Sequence, residues 1–137
     1  MEFIDVSAAI IFSGNKVLIA QRNRKSFMGG KWEFPGGKVE KGETGEECLK
    51  REIFEEFRVE IKVGKLLTKV EYEYDGVMNV RLNPYFCKIN KGTLKVLEHE
   101  NVAWVLPNQL KNYDLVPADK EITAILLKTS KDLQISD

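Results

Sequence analysis

Between Gly36 and Val59 the chain reads GGKVEKGETGEECLKREIFEEFRV, and within it apolar residues recur at a spacing that suits one amphipathic helix. Thr44 followed three residues later by Glu47 is a capping box, which predicts a helix starting just after Thr44 and running to about Phe57. At 100° per residue Leu49, Ile53 and Phe57 form an apolar stripe, while Glu52, Glu55 and Glu56 fall within roughly one 100° arc. One side must pack on a core and the other is acidic.

Like charges at i, i+3 and i+4 repel by roughly 0.2–0.5 kcal/mol per pair in an isolated helix. A divalent cation turns that liability into a site. Magnesium prefers carboxylate and carbonyl oxygens and completes its shell with water and phosphate, which matches glutamates without histidine or thiolate partners. Set against this, a glutamate run usually marks a solvated face. Here the run follows Gly36-Gly37, a turn at Gly42 and a capped helix start, and it includes Arg51, all in register.

Elsewhere, Phe3 to Phe12 and Lys16 to Gln21 read as a hairpin around Ser13-Gly14-Asn15. Lys31 to Phe34 is a short predicted strand leading into Pro35-Gly36-Gly37, where glycines let the backbone approach a ligand. Val59 to Tyr74 suggests one or two strands, Asp75-Gly76 a turn, and Val77 to Ile89 a strand in which Pro84 implies an edge or a bulge. Thr93 to Leu97 and Val102 to Leu106 are further predicted strands. Ala118 to Lys128 has the apolar spacing of a closing helix, and residues 130 to 137 read as a loose tail. This order implies an α/β sandwich with a mixed sheet between helices.

With 137 residues, 43% hydrophobic and 31% charged, the chain fits one compact domain, 1–137. Twenty-one basic residues balance 21 acidic ones, so no nucleic-acid polymer is expected as a partner. No apolar run is long enough for a membrane span and no signal peptide is apparent, which makes the cytoplasm the expected location. Cys48 and Cys87 are too few for a disulfide framework or metal cluster, and Cys48 reads as a small residue packed within the helix. His99 is the only histidine, which argues against a zinc site or a Ser-His-Asp triad.

The run Gly37, Glu43, Arg51-Glu52-Ile53, Glu55-Glu56 and Val59 resembles the Nudix box, here residues 37–59. It departs once, where Arg58 stands at the usual glycine, normally a left-handed position that costs a side-chain-bearing residue about 1 kcal/mol, so either that cost is accepted or the helix ends differently. The resemblance implies the Nudix fold, an α/β/α sandwich, and hydrolysis of a phosphoanhydride with Mg2+, for which Mn2+ can substitute. It further implies that the Gly36 carbonyl, Glu52, Glu55 and Glu56 hold the metals, with Glu98 reaching back to them from a loop. Glu52 or Glu98 would take the proton of the attacking water; a merely solvated Glu98 is the plain alternative. Gly37, Glu43 and Arg51 are expected to brace the loop on the helix.

Val6 to Phe12, Ala20-Gln21-Arg22, Trp32 to Glu43 and Leu115 to Asp119 resemble the MutT-type branch, whose members release a nucleoside monophosphate and pyrophosphate, including from oxidised purine or cytosine nucleotides. A nucleotide-pool sanitation enzyme acting on 8-oxo-dGTP is the implied function, with CTP or 5-methyl-dCTP and diadenosine polyphosphates as alternatives. The implied partner is a nucleotide, bound by a monomer or homodimer. Asp119 matches the position that reads the base, although the helix dipole alone favours an aspartate there. Phe34 would line the base pocket and Arg22 would meet phosphate or sugar; a core aromatic and a surface arginine are the plain alternatives. A Nudix-fold sensor that binds without cleaving typically loses box glutamates, whereas this chain keeps them.

Overall fold

The structure, a computed structural model, describes residues 2–133. Strands β1 (Phe3–Ser13) and β2 (Lys16–Gln21) form the expected hairpin. Their apolar runs are buried on both faces, as strands covered from both sides require. Ala8, Ile10, Val17 and Ile19 enter one core cluster, and Ala9, Ile11, Leu18 and Ala20 enter the other. The period-two alternation of a strand thus divides one continuous apolar sequence between two cores.

Strand β1 is central. It runs parallel to β7 (Met78–Lys91) and pairs antiparallel with β4 (Gly36–Lys38) and β2 on its other side. Beyond β2 lie β3 (Trp32–Glu33) and β8 (Asn101–Val105), while β5 (Glu60–Leu66) and β6 (Val70–Tyr74) pair antiparallel with β7. The parallel β1–β7 pairing among antiparallel ones makes the sheet mixed, as expected. Helix α1 (Gly45–Phe57) packs Leu49, Ile53 and Phe57 on one face, and α2 (Pro117–Leu133) packs Ile122 and Leu126 on the other. A 3-10 helix, Pro107–Asn112, adds Leu110 to the α2 side; its short polar sequence had no helical period to reveal it.

Two expectations are corrected and one is narrowed. Of the edge or bulge expected at Pro84 the structure shows the second kind of place: Pro84 lies within β7, opposite Ala8 of β1, beside a register shift between β5 and β7. The N–H it lacks would point to the side of its carbonyl, where β6 pairs only as far as Leu82 and β5 resumes at Tyr85 across a register shift. There the Pro84 carbonyl accepts from the Leu67 N–H at 2.8 Å, so the missing donor falls at a handover between partners, the irregular place proline tolerates.

Thr93 to Leu97 is not a strand. It crosses the end of α1, where the Lys95 N–H donates to the Phe57 carbonyl at 2.9 Å and the Leu97 N–H points at the Glu56 carbonyl at 3.4 Å. Helix-end carbonyls that lack intrahelical partners are met by this segment instead of a sheet neighbour. Finally, α2 continues past Lys128 to Leu133, so residues 130–133 are helical; the remainder of the predicted tail, 134–137, lies outside the described residues.

Candidate active site

The Thr44 side chain accepts from the Glu47 N–H, and the Glu47 carboxylate accepts from the Thr44 N–H at 2.8 Å, which sets where α1 begins. The helix ends at Arg58 with φ 58° and ψ 32°, the left-handed conformation the box alignment predicts. The arginine offsets part of that strain, because its guanidinium donates to the Phe54 and Glu55 carbonyls and lies over the Phe54 ring.

Arg51 is the hub of the loop. Its Nε and Nη2 grip the two Glu43 oxygens, each at 2.8 Å, and Nη1 reaches Glu52 at 3.0 Å and Glu55 at 3.3 Å. The Glu43 carboxyl is accordingly held down at about 2, first by the Arg51 hydrogen bond and then by the Glu40 N–H. Gly37 packs against the Glu52 carboxylate and Gly36 against the Ser7 carbonyl, each so closely that a Cβ would overlap them.

The three helix glutamates are unequal. The Glu55 side chain is 51% exposed, Glu52 is partly buried, and Glu56 is buried at 6%. Glu56 lies about 20° from Leu49 on a helical projection, at the border of acidic arc and apolar stripe, so packing takes it inward. Burial drives its carboxyl well above the usual range, and Glu52, Glu33 and Glu98 add repulsion. Its Oε1 has no hydrogen-bond partner.

Beside it lies His99, which in the sequence served only to argue against a zinc site or a Ser-His-Asp triad. Its ring stacks on Phe57, with centroids 5.3 Å apart and planes 9° from parallel. Nε2 is 2.9 Å from Glu33 Oε2, and Nδ1 is 3.9 Å from Glu56 Oε1. Glu33 was likewise missed. Its partners are 66 and 11 residues away, and no local pattern announces them.

A cavity of about 360 Å³ opens next to this cluster, lined by Arg22, Phe27, Glu33, Phe34, Gly36, Gly37, Lys38, Tyr74 and Asp119, among others. Asp119, 3% exposed in the first turn of α2, accepts from the Phe34 N–H at 2.8 Å through Oδ2. Burial raises its carboxyl well above the ordinary value, reinforced by the Glu33 charge. Phe34 is both core and cavity wall. Arg22 is engaged with the Glu33 carboxylate at 2.6 Å and the Phe27 carbonyl at 2.7 Å. Phe27 and Tyr74 meet edge to face at 5.4 Å at the rim.

Arg22, Phe34 and Asp119 therefore share one cavity, and Gly36–Lys38 form the wall that backs onto the glutamate helix. Glu98 is exposed, but its charge is among those that act on Glu56. Among the described residues no three acidic, histidine or cysteine side chains converge as a ready metal cage. Arg51 draws Glu52 and Glu55 toward itself, while Glu56 faces His99. The donor set still fits a hard divalent cation. Its oxygens are carboxylates, one buried and unpartnered, and the nearby Cys48 thiol is pushed by burial up to about 11 and so stays protonated.

Residues 3–126 match the NUDIX domain. The CTP pyrophosphohydrolase of Escherichia coli is 39% identical over 119 residues, covering 87% of each chain. The 8-oxo-dGTP diphosphatase of Haemophilus influenzae is 36% identical over 129 residues, covering 92% of this chain and 93% of that one. Among solved structures, the E. coli ORF135 protein superposes with a TM-score of 0.83 at 34% identity, covering 100% of this chain and 96% of the other. MutT from Staphylococcus aureus gives 0.73 at 42% identity, covering 93% and 98%. With its domain match, its relatives and its fold in agreement, the chain belongs to the Nudix hydrolase family.

Proposed function

We propose that this chain hydrolyses a nucleoside triphosphate to the monophosphate and pyrophosphate with Mg2+, and that its substrate is an oxidised purine nucleotide such as 8-oxo-dGTP. The observation that carries the reading is the shared wall: the Gly36–Lys38 segment lines the cavity on one side and packs on Glu52 on the other. A base seated beside Asp119 thus has its phosphates directed toward the helix glutamates. A cation held there would neutralise charge on the phosphate oxygens and the leaving group. Gly36, Glu52, Glu55, Glu56 and Glu98 are the residues assigned to hold it, and Arg51 orients Glu52 and Glu55. Glu52 or Glu98 takes the proton of the attacking water.

Asp119 is assigned to read the base, with its Oδ2 fixed by the Phe34 N–H. A carboxyl there can accept from the N1–H and N2 amino group of an oxidised guanine, or from the N4 amino group of cytosine. Cytosine nucleotides are the second reading, favoured by the E. coli relative's activity as a CTP pyrophosphohydrolase. The test is kcat/KM over 8-oxo-dGTP, dGTP, CTP, dCTP, 5-methyl-dCTP and 2-hydroxy-dATP, with pyrophosphate and phosphate release measured separately. Highest kcat/KM for 8-oxo-dGTP with pyrophosphate release supports the first reading, highest for CTP the second. Binding without release in every case points to a sensor and overturns both.

A further inference from the structure

We propose that His99 is a positioning residue that couples the nucleoside cavity to the glutamate helix, holding Glu33 with one ring nitrogen and facing Glu56 with the other. The inference rests on the site reading above. The ring has little freedom: its side chain is 8% exposed and lies flat against the fully buried Phe57. Its Nε2 meets Glu33 Oε2 at 2.9 Å, a hydrogen bond in which the ring donates when Nε2 carries the proton. The other Glu33 oxygen is held by Arg22 at 2.6 Å, and both residues line the cavity.

With ring plane and Nε2 direction set, Nδ1 has one direction left, and it faces Glu56 Oε1 at 3.9 Å. These two atoms are both buried and both without a hydrogen-bond partner. A movement of about 1 Å brings them to hydrogen-bonding distance, where a bond forms when either Nδ1 or the carboxyl carries a proton. Arg22, Glu33, His99 and Glu56 therefore form one line of contact from the cavity wall to the buried helix glutamate. A nucleoside that displaces Glu33 moves the ring, and the ring moves Glu56. By reciprocity, filling the glutamate site changes the affinity of the cavity by the same factor.

Phosphates would link cavity and cation directly, so the test uses ligands that lack them. Mn2+ affinity is measured by calorimetry on the full chain, with and without saturating 8-oxo-deoxyguanosine or cytidine. In the wild-type chain the nucleoside shifts the Mn2+ Kd by about fivefold. His99→Phe preserves the stack on Phe57 but removes both nitrogens, and the shift disappears. His99→Gln, which can still donate to Glu33, keeps KM for the triphosphate near wild type while lowering kcat at limiting cation; it also serves should the Phe variant not fold. Nucleoside binding with no Mn2+ shift in the wild-type chain, or an equal shift in His99→Phe, overturns the coupling and leaves the substrate reading standing. Failure of either nucleoside to bind, together with no hydrolysis across the triphosphate panel, removes the substrate reading and the coupling with it.

Discussion

Glu56 and Asp119 are both buried carboxyls, 6% and 3% exposed, and desolvation is the largest cause that raises each. Their neighbours make them different instruments. Around Glu56 stand Glu52, Glu33 and Glu98, with no donor to its Oε1, so what the site lacks is positive charge. Asp119 instead receives a backbone N–H from Phe34, and Arg22 lies near enough to act against the rise. Burial of a charge is tolerable only when something compensates it. For Asp119 part of that compensation is built into the fold; for Glu56 no donor among the described residues reaches Oε1, so a proton or a bound cation would supply it.

The comparison breaks most readily at Glu56. Glu56→Gln should lower turnover on the order of 100-fold or more while circular dichroism stays native. A near-normal rate would remove Glu56 from the metal site. Next in size is Asp119→Ala, which leaves the buried Phe34 N–H unpaired and should cost about 1–3 kcal/mol in denaturant unfolding. It should also change the ratio of kcat/KM between 8-oxo-dGTP and CTP; an unaltered ratio ends the base-reading assignment.

The pH dependence of stability sharpens the contrast. Both carboxyls have folded values above their unfolded ones, so the folded state binds more protons. The stability they contribute is complete below the ordinary carboxyl range and is lost as pH rises toward the raised values. Metal-free protein should therefore lose stability as pH rises from about 5 toward about 10, and Asp119→Asn or Glu56→Gln should each flatten that slope. Adding Mg2+ should recover the Glu56 share alone, so thermal melts with and without the ion in both variants separate the two groups. Full recovery in Glu56→Gln would contradict this division.

The smallest expected effect is at Arg58. Its φ of 58° favours glycine by about 1 kcal/mol, but Arg58→Gly also loses the guanidinium bonds to two helix carbonyls. The net should be a gain below about 1 kcal/mol with unchanged kcat, read from denaturant melts.

Much of the fold was legible because its signals are short-range. The Thr44–Glu47 box, the Leu49, Ile53, Phe57 stripe and the alternation in β1 and β2 each lie within a dozen residues. Thr93–Leu97 misled because an extended, apolar-flanked segment serves equally as a strand or as a strap over a helix end. Pro84 left edge and bulge both open because its tolerance depends on where two other strands change places. In the site, Glu43 and Arg51 were readable together from the box alignment. Glu33 and His99 were not, since strand pairing of β2 with β3 and β8 brings them together across 66 residues.

By itself the sequence determined the chemistry on offer: five carboxylates and an arginine in helical register after paired glycines, an arrangement set by the 3.6-residue turn and a local cap. Tertiary structure alone decided which of those carboxylates lost its water. Glu56 sits at the boundary of the apolar stripe, and only the packing of Phe57, His99 and the strap over the end of α1 turned that boundary position into a buried one. The protonation preference of a carboxyl follows its surroundings, and those surroundings come from segments distant in the chain.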